Sequence, residues 1–139
     1  MSSDLPVIIT IDGPSGAGKG TLARKLAEHT GYHLLDSGAL YRIVGLAAVQ
    51  QQADFTDGEA LGRLARGLDI NFVVQPGGIA VKLDGNDVSE AIRTESAGMN
   101  ASKVAAVPDV RAALLDLQRD FATAPGLIAD GRDLSLIHI

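Results

Sequence analysis

Nine residues with the letters GPSGAGKGT, at positions 13–21, have the composition and spacing of a loop that holds an anion. Because glycine has no Cβ, the backbone there can turn tightly enough for successive N–H groups to point at one anion. Lys19 adds a mobile positive charge, and the Thr21 hydroxyl can bind a phosphate oxygen or the water shell of a magnesium ion. The pattern predicts a site for the phosphates of a nucleoside triphosphate.

The elements on either side of this loop are the ones that such a site needs. The β-branched run VIITI, at 7–11, predicts a buried strand, and the residues from Thr21 predict a helix to about His29. That helix would add its unpaired N-terminal amides and the positive end of its dipole to the loop. Its buried face is predicted to consist of Leu22, Ala23, Leu26 and Ala27. A turn that merely joins a strand to a helix is the plainer alternative, and the spacing with both flanks present argues against it.

Composition narrows the class of protein. The 139 residues, 46% of them hydrophobic, are enough for one domain with a core. The net charge of −5 argues against a nucleic-acid surface, although folding could gather a few of the 12 basic residues into a small anion site. The absence of cysteine excludes a disulfide framework and a thiolate metal site. With no apolar run of membrane-span length and no signal-peptide pattern, we expect a cytoplasmic monomer with no nucleic-acid or membrane partner.

A second strand and helix follow the first unit. The strand is predicted at 32–35, and the sequence DSGALYR, at 36–42, then lies at its carboxyl end, where open parallel sheets bind ligands. The buried face of the helix that follows is predicted to consist of Leu40, Ile43, Val44 and Ala47. Arg42 does not share that face, so it is either a solvated surface arginine or a ligand at the sheet edge.

The pattern changes from helical to alternating at residue 70. Two β-rich runs, at 70–74 and 79–84, are separated by Gln75-Pro76-Gly77-Gly78 and predict an antiparallel hairpin, with a third short strand at 88–89. We interpret residues from about 70 to 92 as a small inserted sheet over the substrate side. Helices are predicted at 93–107 and from Pro108. A core strand then ends at Asp130, which is either a ligand of magnesium-bound water or substrate, or an ordinary turn residue.

Taken together, these segments resemble bacterial cytidylate kinases. The resemblance runs in order from about Val7 to Asp133 and rests on GPSGAGKGT, HLLDSGALYR (33–42), IRT (92–94), NASKVAAVP (100–108) and GLIADGRD (126–133). It implies an α/β fold like that of P-loop nucleoside monophosphate kinases, in which a parallel sheet is flanked by helices and carries a small inserted antiparallel sheet. It also implies transfer of the γ-phosphoryl group of ATP to CMP or dCMP, with Mg²⁺.

The same resemblance implies roles for individual residues. Lys19 and Arg132 would be catalytic, and Thr21 and Asp130 are candidates to hold the metal through water. The ATP-binding residues would be Gly13, Pro14, Ser15, Gly16, Ala17, Gly18, Lys19, Gly20 and Thr21. The residues around CMP would be Ser37, Arg42, Ser102, Arg111, Arg132 and Asp133.

The resemblance stops at Asp133, and the last six residues, LSLIHI, have no counterpart that it covers. We therefore expect an incomplete kinase domain at 1–133, with its core at 1–69 and 93–133, followed by an unrelated tail at 134–139. The arginine-bearing lid and last strands of the family would be missing, so we expect little or no kinase activity from these residues alone. Another small-molecule P-loop kinase, and a nucleotide-binding fragment without turnover, are the alternatives.

Overall fold

Strands and helices alternate at the start of the chain, and a run of three strands interrupts them. The computed structural model describes residues 7–11, 19–76, 78–121 and 126–130. In chain order the elements are β1 (Val7–Ile11), α1 (Lys19–Thr30), β2 (His33–Asp36), α2 (Ser37–Gln50), α3 (Gly58–Arg66), β3 (Ile70–Gln75), β4 (Gly78–Leu83), β5 (Asn86–Asp87), a 3-10 turn (Ala91–Arg93), α4 (Glu95–Ala105), α5 (Pro108–Phe121) and β6 (Gly126–Asp130).

A parallel sheet with the strand order β1–β6–β2 forms the centre of the fold. Residues alternate between its two faces, as they must in strands. Ile128 of β6 packs in one cluster with Ala23 and Ala27 of α1, whereas Leu127 and Ala129 pack with residues of α2, α3 and α5. Helices therefore cover both faces, which confirms the predicted parallel sheet flanked by helices.

The predicted buried faces of α1 and α2 agree with the structure to different degrees. In α2 the predicted residues Leu40, Ile43, Val44 and Ala47 are all buried, which confirms that prediction. In α1 the alanines at 23 and 27 are buried, but Leu22 is 50% exposed, so its predicted burial is wrong. The reason is the 100° step between neighbouring helical residues, which puts Leu22 beside the alanine stripe rather than on it.

The first residues of α4 and α5 are those that commonly begin helices. The Thr94 side chain accepts a hydrogen bond from the Ala97 N–H at 3.0 Å and so begins α4. This helix was expected from Arg93, but residues 91–93 form the 3-10 turn and α4 starts at Glu95. Pro108 is the first residue of α5, as predicted. None of the helices in the described ranges is long and apolar enough to cross a membrane.

The predicted small antiparallel sheet is present, with the strand order β3–β4–β5. Its third strand lies at Asn86–Asp87. The sequence pattern placed this strand at 88–89, two residues too late. The cause is a two-residue turn, because Asp84 and Gly85 both have positive φ, 50° and 87°, the conformation of the tightest hairpin loop. Pairing therefore resumes at once, with Leu83 opposite Asn86.

Candidate functional site

The strands of the parallel sheet end level with one another. In the register of the sheet, Ile11 of β1 and Asp36 of β2 are both opposite Asp130 of β6. The chain segments after all three strands therefore leave from one edge, which is the carboxyl edge where such sheets bind ligands. The predicted site residues Gly13, Pro14, Ser15, Gly16, Ala17, Gly18, Arg132 and Asp133 lie outside the described residues.

Two helices begin at or next to this edge. Helix α1 starts at Lys19, so its first turn contains Thr21. Helix α2 starts at Ser37, and the carboxylate of Asp36 accepts a hydrogen bond from the Ala39 N–H at 3.2 Å. Such a cap satisfies one of the amides that every helix leaves unpaired at its start.

A cavity of about 700 Å³ opens between these helices and the small sheet. That volume is typical of sites for small molecules. Its described wall residues come from the parallel-sheet side, from β3 and β4, and from the segment after β5. They are Thr21, Arg24, Leu34, Asp36, Gly38, Ala39, Arg42, Phe72, Ile79, Val81, Ser89, Ile92 and Arg93. The small sheet thus forms the wall opposite the start of α1.

Three arginines and one carboxylate are the charged groups among those described wall residues. The arginines are Arg24, Arg42 and Arg93, and the carboxylate is Asp36, the cap of α2. This concentration of positive charge contrasts with the net charge of −5 of the whole chain. A cavity lined in this way favours an anionic ligand, because guanidinium groups form strong, geometrically specific hydrogen bonds with phosphate.

Arg42 has two hydrogen-bond partners in the segment that follows the small sheet, 50 and 52 residues further along the chain. Its Nη1 donates to the carbonyl oxygens of Ile92 at 2.7 Å and of Thr94 at 3.4 Å. These bonds cross from α2 to the segment that joins the small sheet to α4. Arg42 is half-buried and lines the cavity, so the alternative of a merely solvated surface arginine does not fit its position.

The other sequence-predicted residues lie in different places. Ser37 is buried at the start of α2 and is 8% exposed. Ser102 is exposed on α4, and its hydroxyl donates to the Gly98 carbonyl oxygen at 3.2 Å. Arg111 is exposed on the first turns of α5. Among the predicted residues with described side chains, Thr21 and Arg42 line the cavity, and Ser37, Ser102 and Arg111 do not.

Several wall residues were not among the predicted site residues. Arg24 follows Thr21 by three positions on α1, and that helical spacing was the available signal for it. Arg93 lies in the IRT segment that contributes to the family resemblance. Ser89 had no such signal, because its place in the wall depends on the turn at Asp84 and Gly85.

Ser89 also organises the wall to which it belongs. Its Oγ accepts a hydrogen bond from the N–H of Val81 at 2.8 Å, and its own N–H donates to the Asp87 carboxylate at 2.9 Å. Hydrogen bonds from the Ser89 side chain and backbone lower the pKa of Asp87, which keeps this exposed carboxylate charged. The end of the small sheet is therefore held by side-chain bonds as well as by strand pairing.

The described residues contain no group of three or more histidine, aspartate or glutamate side chains that could hold a metal ion. Thr21, whose hydroxyl is one of the two predicted metal candidates, lines the cavity. The other candidate, Asp130, occupies the end of the central strand, opposite Ile11 and Asp36 in the register. Both lie at the carboxyl edge of the sheet.

Comparison with known proteins gives one consistent result. The sequence model of the family described as "Cytidylate kinase" matches residues 9–137, which extends four residues beyond Asp133. The chain is 57% identical over 137 residues to a protein named cytidylate kinase from Serratia proteamaculans (strain 568), covering 99% of this chain and 59% of the relative. A protein of the same name from Saccharophagus degradans is 56% identical over 133 residues, covering 96% of this chain and 59% of the relative.

A third relative agrees with the first two. The cytidylate kinase of Proteus mirabilis (strain HI4320) is 56% identical over 130 residues, covering 94% of this chain and 58% of the relative. The chain therefore spans somewhat under three-fifths of the length of the curated relatives that it matches.

Proposed function

The chain belongs to the cytidylate kinase family, and from that premise we propose that the protein transfers the γ-phosphoryl group of ATP to CMP or dCMP, giving CDP or dCDP. The observation that carries this proposal is the cavity that Arg24, Arg42 and Arg93 line together with Thr21 of the first turn of α1. An acceptor nucleotide that must lie next to a triphosphate needs such a site, because two anionic groups have to be brought together against their repulsion.

The donor side of the proposed reaction is the start of α1. The amides and dipole of the first turn would hold the phosphates of ATP together with the predicted loop residues 13–18. Lys19 would neutralise charge on the terminal phosphates, as its place in the motif implies. Thr21, which lines the cavity, would bind a phosphate oxygen on the side facing the acceptor.

The acceptor side is the cavity itself. Its arginines would hold the phosphate of CMP in line with the terminal phosphate of ATP, and alignment of this kind is the main contribution of a protein to phosphoryl transfer. The apolar wall formed by Phe72, Ile79 and Val81 would cover the nucleotide and exclude water. In the proposal, Ser37, Ser102, Arg111, Arg132 and Asp133 complete the CMP site, with Arg132 also catalytic.

Two oxygen-bearing residues at the carboxyl edge of the parallel sheet are suited to a magnesium ion. Mg²⁺ is usually held by substrate phosphates, water and one or two protein oxygens, so it does not need a cluster of carboxylates. The Thr21 hydroxyl and the Asp130 carboxylate are the groups that would hold it, through water. When bound there it would neutralise charge on the donor phosphates. We further propose that the protein acts as a monomer in the cytoplasm.

The test is a coupled assay of CDP formation from ATP and CMP. It is run on the 139-residue chain and on a version completed with the remaining sequence of the Serratia proteamaculans relative. We expect the completed version to turn over CMP and dCMP in preference to UMP, AMP and shikimate, and the chain alone to be much slower. A preference for another acceptor would support another small-molecule kinase, and tight nucleotide binding with no product in either form would support a binding module.

A substitution makes the assay specific to the proposed site. In the completed version, Lys19→Met should lower turnover by about a hundredfold or more, because the charge on the transferring group loses its neutralising partner. Lys25→Met is the matched control, since Lys25 is exposed on the same helix and does not line the cavity. Unchanged CDP production by Lys19→Met would exclude the proposed donor site.

A further inference from the structure

The three arginines of the cavity wall differ in what they already bind. Arg24 forms an ion pair with Glu28, with 2.6 Å between Nη1 and Oε1. Arg42 donates to the carbonyl oxygens of Ile92 and Thr94. Within the described part of the chain, the Arg93 side chain has no hydrogen bond or ion pair, although it lines the same cavity. Its charge is therefore the one among the three that has no described protein partner.

The backbone that carries Arg93 is held on both sides. Ile92 is buried, and its N–H donates to the Val88 carbonyl oxygen at 3.1 Å. Thr94 caps α4 through its side chain. Between these two residues, the Arg93 N–H donates to the Glu90 carbonyl oxygen at 3.0 Å. A long, exposed side chain thus projects from a fixed turn.

Arg42 provides the link between this turn and the rest of the protein. The two carbonyl groups that it binds belong to the residues immediately before and after Arg93. Both bonds use Nη1, so among the described residues the Nε and Nη2 groups of Arg42 remain for a ligand. One guanidinium on α2 therefore helps to fix the backbone of Arg93 relative to α2.

A glycine on α4 makes room for that link. A Cβ placed on Gly98 would lie 3.1 Å from Nη2 of Arg42, closer than a side chain at this position tolerates without movement. Gly98 is within α4, where glycine is less favourable than alanine, so the close approach of Arg42 is a physical reason for a glycine there.

We propose that Arg93 binds the phosphate of the acceptor nucleotide, and that Arg42 positions Arg93 by holding the carbonyl groups on either side of it. This inference rests on the proposed function, because it requires a nucleoside monophosphate in the cavity. Arg93 contributes a guanidinium that has no hydrogen bond or ion pair among the described residues to give up before it binds an anion. Arg42 contributes geometry through Nη1 and keeps its other edge for the same ligand.

The first experiment separates the phosphate from the rest of the nucleotide. Binding of CMP and of cytidine is measured by calorimetry and by NMR titration, on the 139-residue chain and on the completed version, for Arg93→Met and Arg93→Lys. We expect Arg93→Met to weaken CMP binding about 10- to 100-fold, the range for a charge-assisted hydrogen bond, and to leave cytidine binding unchanged. Arg93→Lys should lie between, since it keeps the charge and loses the bidentate geometry.

The control is Arg63→Met, which removes an exposed arginine of α3 that pairs with Glu59 and does not line the cavity. We expect its CMP affinity to equal that of the unmodified protein. If the unmodified protein binds no CMP in either form, the proposed function and the role of Arg93 both fail. If it binds CMP and Arg93→Met binds it equally well, or loses cytidine and CMP alike, only the role of Arg93 fails.

The second experiment tests the positioning by Arg42. Gly98→Ala should push on the Arg42 guanidinium and weaken CMP binding several-fold without affecting cytidine. Gly67→Ala is the matched control, because a Cβ there would have no neighbour closer than 3.7 Å. If Arg42 acts through Arg93, then Gly98→Ala should weaken CMP binding clearly less in an Arg93→Met background than in the unmodified protein, because only the direct contact of Arg42 with the ligand is left to lose. A full, additive loss in the double variant would show that Arg42 does not act through Arg93.

Discussion

The two walls of the cavity differ in how fully their residues are buried. On one side, α2 packs into the core through Leu40, Ile43 and Val44, none of which has exposed surface. On the other side, side chains along β3 alternate between half-buried and exposed after Ile70, and both residues of β5 are exposed. Apolar burial holds the first wall, whereas the second combines buried apolar residues, Val81 and Ile92 among them, with individual polar bonds at Ser89 and Arg42.

Because of this difference, substitutions in the two walls should change the free energy of unfolding by different amounts. A residue of the α2 wall should affect the free energy of unfolding strongly, because removing buried apolar volume leaves a cavity in a close-packed interior. An exposed residue of the small sheet should affect it much less, because its truncation removes little buried volume. The following substitutions test that separation, in order of decreasing expected effect.

The largest effect is expected from Ile43→Ala on α2. Ile43 is fully buried, so truncation should lower the free energy of unfolding by about 2–5 kcal/mol. The small-sheet counterpart, Val73→Ala, removes a β-branched side chain that is 42% exposed and should cost no more than about 0.5 kcal/mol. Urea unfolding followed by circular dichroism measures both.

A milder variant keeps this comparison usable if Ile43→Ala does not fold. Ile43→Val removes one methylene group and should cost about 0.5–1.5 kcal/mol. If Val73→Ala costs as much as Ile43→Val or more, the difference in burial between α2 and the small sheet does not set their stability and the comparison is wrong.

An intermediate effect is expected from Ser89→Ala in the small-sheet wall. The change removes the acceptor of the Val81 N–H, and since Val81 is buried, the unpaired amide should cost about 1–3 kcal/mol. Thr56→Ala is the control, because its hydroxyl donates a bond that is slightly shorter, 2.6 Å to Asp54, at an exposed position. Equal losses of stability in the two variants would show that burial of the amide is not the cause.

Elements that depend on local sequence patterns were predicted better than those that depend on turn length or tertiary packing. The parallel sheet, the face of α2 and the start of α5 were predictable, because periodicity and capping are local signals. The third strand was misplaced although Asp84-Gly85 is a typical two-residue turn, because Asn86 and Asp87 are residue types that are rare in strands and common in turns. The burial of Leu22 was overestimated because leucines and alanines at helical spacing do not reveal which pair faces the sheet.

The site was harder to predict than the fold for a physical reason. Arg24, Arg42 and Arg93 line one cavity although they lie far apart in the chain, and no local sequence pattern links such positions. Arg42 was recognised through the resemblance of its segment to a family. Its bonds to the carbonyl groups of Ile92 and Thr94 depend on the tertiary structure alone.

The smallest effect is expected at Asp116 of α5, which forms an exposed ion pair with Arg66 of α3. A hydrogen bond of 2.6 Å from Arg66 lowers the pKa of Asp116, so the fold favours the charged carboxylate. That contribution is present above the ordinary pKa of about 4 and is lost as the pH falls through the depressed pKa.

Asp116→Asn should therefore lower the thermal midpoint slightly near neutral pH, and the difference from the unmodified protein should shrink as the pH falls below about 4. Both side chains are 52% exposed, so concentrated salt should reduce the difference as well. Thermal unfolding across this pH range, with and without added salt, measures it. A difference that stays constant with pH would mean that the bond of Asp116 to Arg66 does not act through charge. A difference larger than that of Ser89→Ala would mean that polar bonds in this fold do not gain strength with burial.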